Sequence, residues 1–104
     1  MHPLSTVQEW LEAGKQIGTN FSYEKAGQTH WASVGVQWWN GAYKIYLSDI
    51  AEALMAMSEE HLQEEVIEVA RYEDIAPVLA MKTSVKLENL APCKGRKVFN
   101  PKFS

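Results

Sequence analysis

The chain predicts an α+β fold, an antiparallel sheet of about four strands with helices packed on one face. Three observations lead there. The pair Asn40-Gly41 separates two apolar runs, "HWASVGVQWW" and "AYKIYL", and Asn-Gly in that setting is the strongest short-range hairpin signal because both residues tolerate positive φ. The segment "VLAMKTSVKLE", 78–88, alternates apolar with polar residues as a half-buried strand does. Ser5, Ser48 and Ser58 each precede a stretch whose apolar residues recur three and four apart, the mark of a capped amphipathic helix.

Taken in order, Ser5 with Gln8 forms a capping-box pattern, Val7, Trp10 and Leu11 share one helical face, and Gly14 supplies a stop. This predicts a first helix over 6–13. The turn-rich segment that follows places Phe21 and Tyr23 two apart, as in an edge strand. Around Asn40-Gly41 the register sets Trp38 against Tyr43, Val36 against Ile45 and Val34 against Leu47, which makes that face the buried one. The other face carries Trp31, Ser33, Gly35, Gln37 and Trp39 on one strand and Ala42, Lys44 and Tyr46 on the next, with Gly35 across from Tyr46.

Ser48 then caps a predicted buried helix through Ile50, Leu54 and Met57. Leu62, Val66, Val69 and Ala70 make a helical stripe opposite the glutamates, so 59–72 reads as helix, with a strand over the β-branched "EVIEVARY" as the competing reading. Pro77 blocks helix continuation ahead of the strand at 78–88, and "CKGRKVFNP" reads as a turn into a short edge strand ending before Pro101.

At 104 residues the chain predicts one domain, 1–104, long enough to bury a core without staples, with a basic stretch at 94–104. A hydrophobic share of 46 % beside 22 % charged residues argues against disorder. The lone Cys93 excludes an internal disulfide, no signal-peptide pattern opens the chain, and no apolar run approaches membrane-spanning length, which together point to a cytoplasmic protein. The net charge of −3 conceals an asymmetry: nine acids against Arg71 alone between Asp49 and Asp74, then no acid after Glu88. The basic end is expected to pack near the acidic segment of its own chain or against a partner.

No residues declare a catalytic centre, a cofactor site or a metal site. In "SEEHLQEE" a helix would bring Glu60 near Glu64 and His61 near Glu65, but the paired histidines of a zinc helix and the Glu-x-x-His order of di-iron bundles are missing, which leaves a solvated acidic face. His30 has no acid placed near it by sequence. Cys93 lies among cations that would favour its thiolate, without a second cysteine or an evident histidine, and reads as an idle thiol. The methionines Met55, Met57 and Met81 read as core filler.

Function therefore falls to surfaces. With helices on one face, the other face of the sheet is expected to collect Trp31, Trp39, Tyr46, Lys44, Lys82 and Lys86, with Trp38 in the core. The first reading is a non-enzymatic domain that binds a protein partner or itself, as a homodimer, through that aromatic face. Single-stranded nucleic acid stacked on the same face is the second, opposed by the acidic net charge. A small-ligand pocket between sheet and helices is the third. The bland alternative is that the first helix or the tail covers the tryptophans.

Overall fold

A computed structural model describes residues 3–54, 63–93 and 98–101. Its elements run α1 (Leu4–Glu12), β1 (Ile17–Lys25), β2 (Gln28–Trp39), β3 (Ala42–Ala51), β4 (Gln63–Val69), α2 (Ile75–Lys82) and β5 (Ala91–Pro92). The five strands form one antiparallel sheet in the order β4-β3-β2-β1-β5, with the helices on one face. The fold is thus the predicted α+β arrangement, with five strands where about four were expected.

Both long hairpins turn on two residues at positive φ. Asn40 (φ 53°) and Gly41 (φ 85°) close β2 onto β3 in the predicted register, Trp38 against Tyr43, Val36 against Ile45 and Val34 against Leu47. The turn from β1 to β2 uses Ala26 (φ 52°) and Gly27 (φ 79°). An alanine there sits in the left-handed region, which costs an L-residue with a Cβ about 1 kcal/mol. Ala26→Asn is accordingly expected to stabilise the fold by roughly 0.5–1 kcal/mol. A higher urea midpoint would show it, and an unchanged or lower midpoint would contradict it.

The core lies between the helices and one end of the sheet. Val7 and Leu11 of α1, and Ile75 and Leu79 of α2, pack on Ile17, Val34, Val36, Tyr43 and Ile45. Leu87 and Leu90 close the cluster. Gly14, with φ 81°, ends the first helix as its position implied, although the N-cap is Pro3 and no side chain caps the helix.

Five expectations are corrected. Ser48 caps no helix: β3 continues to Ala51 because β2 still offers partners as far as His30, and only a single 3-10 turn, Glu52–Leu54, follows. The remainder of the helix predicted after Ser48, through Met57, lies outside the described residues, as do Ser58, Glu60 and His61. The segment 59–72 is not a helix where it is described; Gln63–Val69 is strand, as its β-branched residues allowed, because β3 presents an edge for it to pair with.

The segment 78–88 is not a strand. Pro77 falls in the first turn of α2, where a missing N–H loses no hydrogen bond, and Ile75, Val78 and Leu79 supply a helical stripe. Thr83 then ends the helix in extended conformation. The edge strand predicted within 93–101 is not found where that stretch is described: Val98–Pro101 forms no strand, and the two-residue strand Ala91–Pro92, paired with Ile17–Gly18, lies before it. Residues 94–97, with Lys94, Arg96 and Lys97, and Lys102 beyond them lie outside the described residues.

Trp38 is the fifth correction. It points to the helix side, edge-on to Tyr43 with ring centroids 4.6 Å apart, yet it stays 37 % exposed, against 40 % for Trp39. One pair from the turn, it lies at the margin of the core.

Candidate functional site

The sheet face turned away from the helices is not open. The tail crosses it at Val98–Pro101, held by Gln16, a residue only 5 % exposed. The amide nitrogen of Gln16 donates to the Phe99 carbonyl (2.8 Å) and to Gln37 Oε1 (2.9 Å), while its oxygen accepts from the backbone N–H of Val98 (2.7 Å) and Phe99 (3.3 Å). The Phe99 ring stacks on Tyr46, centroids 5.2 Å apart and 4° from parallel. It occupies the space above Gly35, where an added Cβ would stand 2.9 Å from the ring. Gly35 across from Tyr46, visible in the sequence as a pair, is the seat of this ring.

The six residues assigned to an open aromatic face are consequently dispersed. Tyr46 is buried beneath Phe99, its phenol donating to Glu64 at 2.6 Å and pushed up to about 12 by burial first and that hydrogen bond second. Lys44 donates to the Pro101 carbonyl (3.0 Å) and pairs with Glu68 (3.3 Å), its register partner on β4. Lys82 and Lys86 never reach this face, because α2 and the residues after it replace the predicted strand. Lys82 instead lies 3.3 Å from Glu65 on the helix side.

Trp31 and Trp39 do keep to this face, each 40 % exposed. They sit eight residues apart on one strand, roughly 26 Å, and cannot form a single patch. Trp39 stands beside the Asn40-Gly41 turn, whereas Trp31 donates to Glu52 at 3.3 Å and pairs with Ser22 of β1.

On the helix side the layer does not extend over the whole sheet. Beyond the end of α2 lies a cleft of about 670 Å³, lined by Phe21, Tyr23, Ala32, Val34, Leu47 and Asp49 from the sheet, Glu65 from β4, and Lys82 to Ser84. Within it Asp49 is held twice. The Tyr23 hydroxyl donates to Asp49 Oδ2, and His30 Nδ1 is 2.8 Å from Oδ1. The hydrogen bond to the carboxylate, with burial and the negative charge adding to it, pushes the Tyr23 phenol up to about 12.

An imidazole oriented by a carboxylate is two of the three members of a hydrolytic triad, but His30 is hydrogen-bonded to Asp49 and to no serine among the described residues, Ser84 at the cleft included. Ser33 and Ser48 alternate onto the opposite face, and the Ser33 hydroxyl donates to Asn20 at 2.6 Å. No group of three His, Cys, Asp or Glu side chains suited to a metal occurs among the described residues. The arrangement can hold a ligand; it does not assemble a nucleophile.

The Tyr23–Asp49–His30 cluster was missed by reading the sequence, although a signal existed. Carrying the hairpin register two pairs beyond Val34–Leu47 sets Asp49 across from Ala32, diagonal to His30 on the same face. Ending the strand at Ser48 concealed it. Among the described residues no helix is long and apolar enough to cross a membrane. The chain matches no family model, no curated protein and no solved structure.

Proposed function

We propose that this domain is a non-enzymatic interaction module that binds a protein partner, most simply a second copy of itself, by strand addition along the edge of β1. The observation that supports this reading is the edge itself. β5 pairs only with Ile17 and Gly18, so among the described residues no strand covers β1 from Thr19 to Lys25.

The hydrogen-bonding groups on that edge can be assigned. A two-residue turn makes Lys25 and Gln28 a hydrogen-bonded pair, so odd-numbered residues of β1 bond to β2 and even-numbered ones turn their N–H and C=O outward. The Gln16 carbonyl, which accepts from Cys93 N–H at 2.9 Å on this side, fits that alternation. Asn20, Ser22 and Glu24 thus offer three donor–acceptor sets.

Edges are normally blunted by charge or proline. The opposite edge, β4, carries Glu64, Glu65 and Glu68, whereas β1 has neither charge nor proline before Glu24. Two copies related by a two-fold axis at Ser22 would pair antiparallel, with Phe21 of one opposite Tyr23 of the other. Trp31, beside the small Ser22, would flank the seam, which keeps one residue of the aromatic face in the contact.

Sedimentation velocity over a concentration series tests this. A dimer is expected for the natural chain and a monomer for Ser22→Pro, which removes an outward N–H without touching the bonds to β2. Circular dichroism should be the same for both. A natural chain that stays monomeric throughout, or a folded Ser22→Pro that still dimerises, would refute the reading.

A further inference from the structure

We infer that the cleft beyond α2 binds a small organic cation, an ammonium or guanidinium group carried on an apolar body, with Asp49 as its counter-charge. The site shares Phe21 and Tyr23 with the β1 edge, but it uses their side chains on the helix-side face and not the outward backbone groups of Asn20, Ser22 and Glu24. Its volume of about 670 Å³ falls within the range of small-molecule sites, and its floor is apolar, formed by Phe21, Ala32, Val34 and Leu47.

Charge selects the ligand's head group. The cleft lining holds three carboxylates, Asp49, Glu64 and Glu65, against one cation, Lys82, and Glu64 is engaged by the Tyr46 hydroxyl on the other face. Lys82 lies 3.3 Å from Glu65, so the two offset each other and leave Asp49 to set the sign. An anionic ligand would meet a lysine already engaged. A cation would meet a carboxylate that is 34 % exposed.

Geometry makes that carboxylate a fixed one. Tyr23 and His30 each engage one oxygen of Asp49, and every carboxylate oxygen has a further lone pair for an incoming donor. Burying a charged ligand group requires such an oriented partner, since the loss of its hydration is otherwise uncompensated. The neighbouring rings of Phe21 and Tyr23, centroids 6.1 Å apart and tilted by 38°, present faces and edges on which a cation or an aromatic body can lie.

The test is a ¹H–¹⁵N titration of the full chain with phenethylammonium, an aromatic body bearing one primary ammonium, against neutral 2-phenylethanol. Saturable shifts at Phe21, Tyr23, Leu47 and Asp49 are expected for the cation, with at least about tenfold weaker binding of the alcohol. Asp49→Asn, nearly isosteric, should weaken the cation by roughly tenfold and leave the alcohol unchanged. If Asp49→Asn does not fold, Glu65→Gln serves, with a smaller loss expected because its charge is shared with Lys82. Asp49→Asn, on β3 and away from the outward groups of β1, should sediment as the natural chain does, so this inference and the strand-addition reading fail separately. Equal affinity for the cation and the alcohol, shifts confined to other surfaces, or a folded Asp49→Asn with undiminished affinity would each overturn it.

Discussion

Replacing Phe99 with alanine is expected to destabilise the fold by about 3–5 kcal/mol, the cost of emptying a buried aromatic site that the surroundings cannot refill. Phe99 is 7 % exposed and has its ring between Tyr46 and Gly35. Total stability for a domain of this size is of the order of 5–15 kcal/mol, so the loss would be a large share of it. Urea unfolding measures it directly. The same geometry predicts a dependence between two positions: Gly35→Ala should be costly in the natural chain, where its Cβ would meet the ring at 2.9 Å, and far milder in the Phe99→Ala background. Additive losses at the two positions would show that the ring does not sit over Gly35 in solution.

Gln16→Leu is expected to be comparably damaging, at roughly 3 kcal/mol, although the substitution makes a buried residue more apolar. Its side-chain amide satisfies the N–H groups of Val98 and Phe99, the Phe99 carbonyl and the Gln37 side chain within a site that is almost closed to water. A leucine leaves those groups without partners, each at a cost of about 1–3 kcal/mol unless the tail lifts to reach solvent. Lifting the tail uncovers Tyr46, whose raised phenol should then titrate nearer its ordinary value of 10. Spectrophotometric titration of the tyrosines, read beside urea unfolding, separates a lifted tail from general loosening. A Gln16→Leu variant as stable as the natural chain would remove the clamp from the account.

These two expectations explain why the middle of the sheet face assigned to a partner, at Tyr46 and Gly35, became part of the protein's interior. The aromatic residues on it were correctly placed by alternation, and covering by the tail stood among the alternatives. What decides the outcome is a long-range contact: Gln16 and Phe99 lie 83 residues apart in the chain. No local pattern marks Gln16, since one glutamine following Lys15 in a glycine-flanked turn looks like any surface residue.

The order of elements shows the same division. The Asn40-Gly41 hairpin and its register, the Gly14 stop, and the burial of Val7 and Leu11 were legible because each follows from backbone sterics or side-chain period within a few residues. Two of the segments assigned the wrong element, 63–69 and 78–82, each satisfied both periods, and competition for partners resolved them. Val66, Ile67 and Val69 became strand because β3 had an edge to offer, while Ile75, Val78 and Leu79 became helix because the sheet needed a cover for Val36 and Ile45. The Tyr23–Asp49–His30 cluster lies between these cases, present in the register once β3 is run to its true end. By itself, then, the sequence determined the α+β class, the central hairpin and which side of it faces the core, all consequences of short-range geometry. Tertiary structure alone decided where the tail lies, which tryptophans remain exposed, and that a cleft and part of the β1 edge stay uncovered among the described residues, because each depends on which distant segment reaches a given surface first.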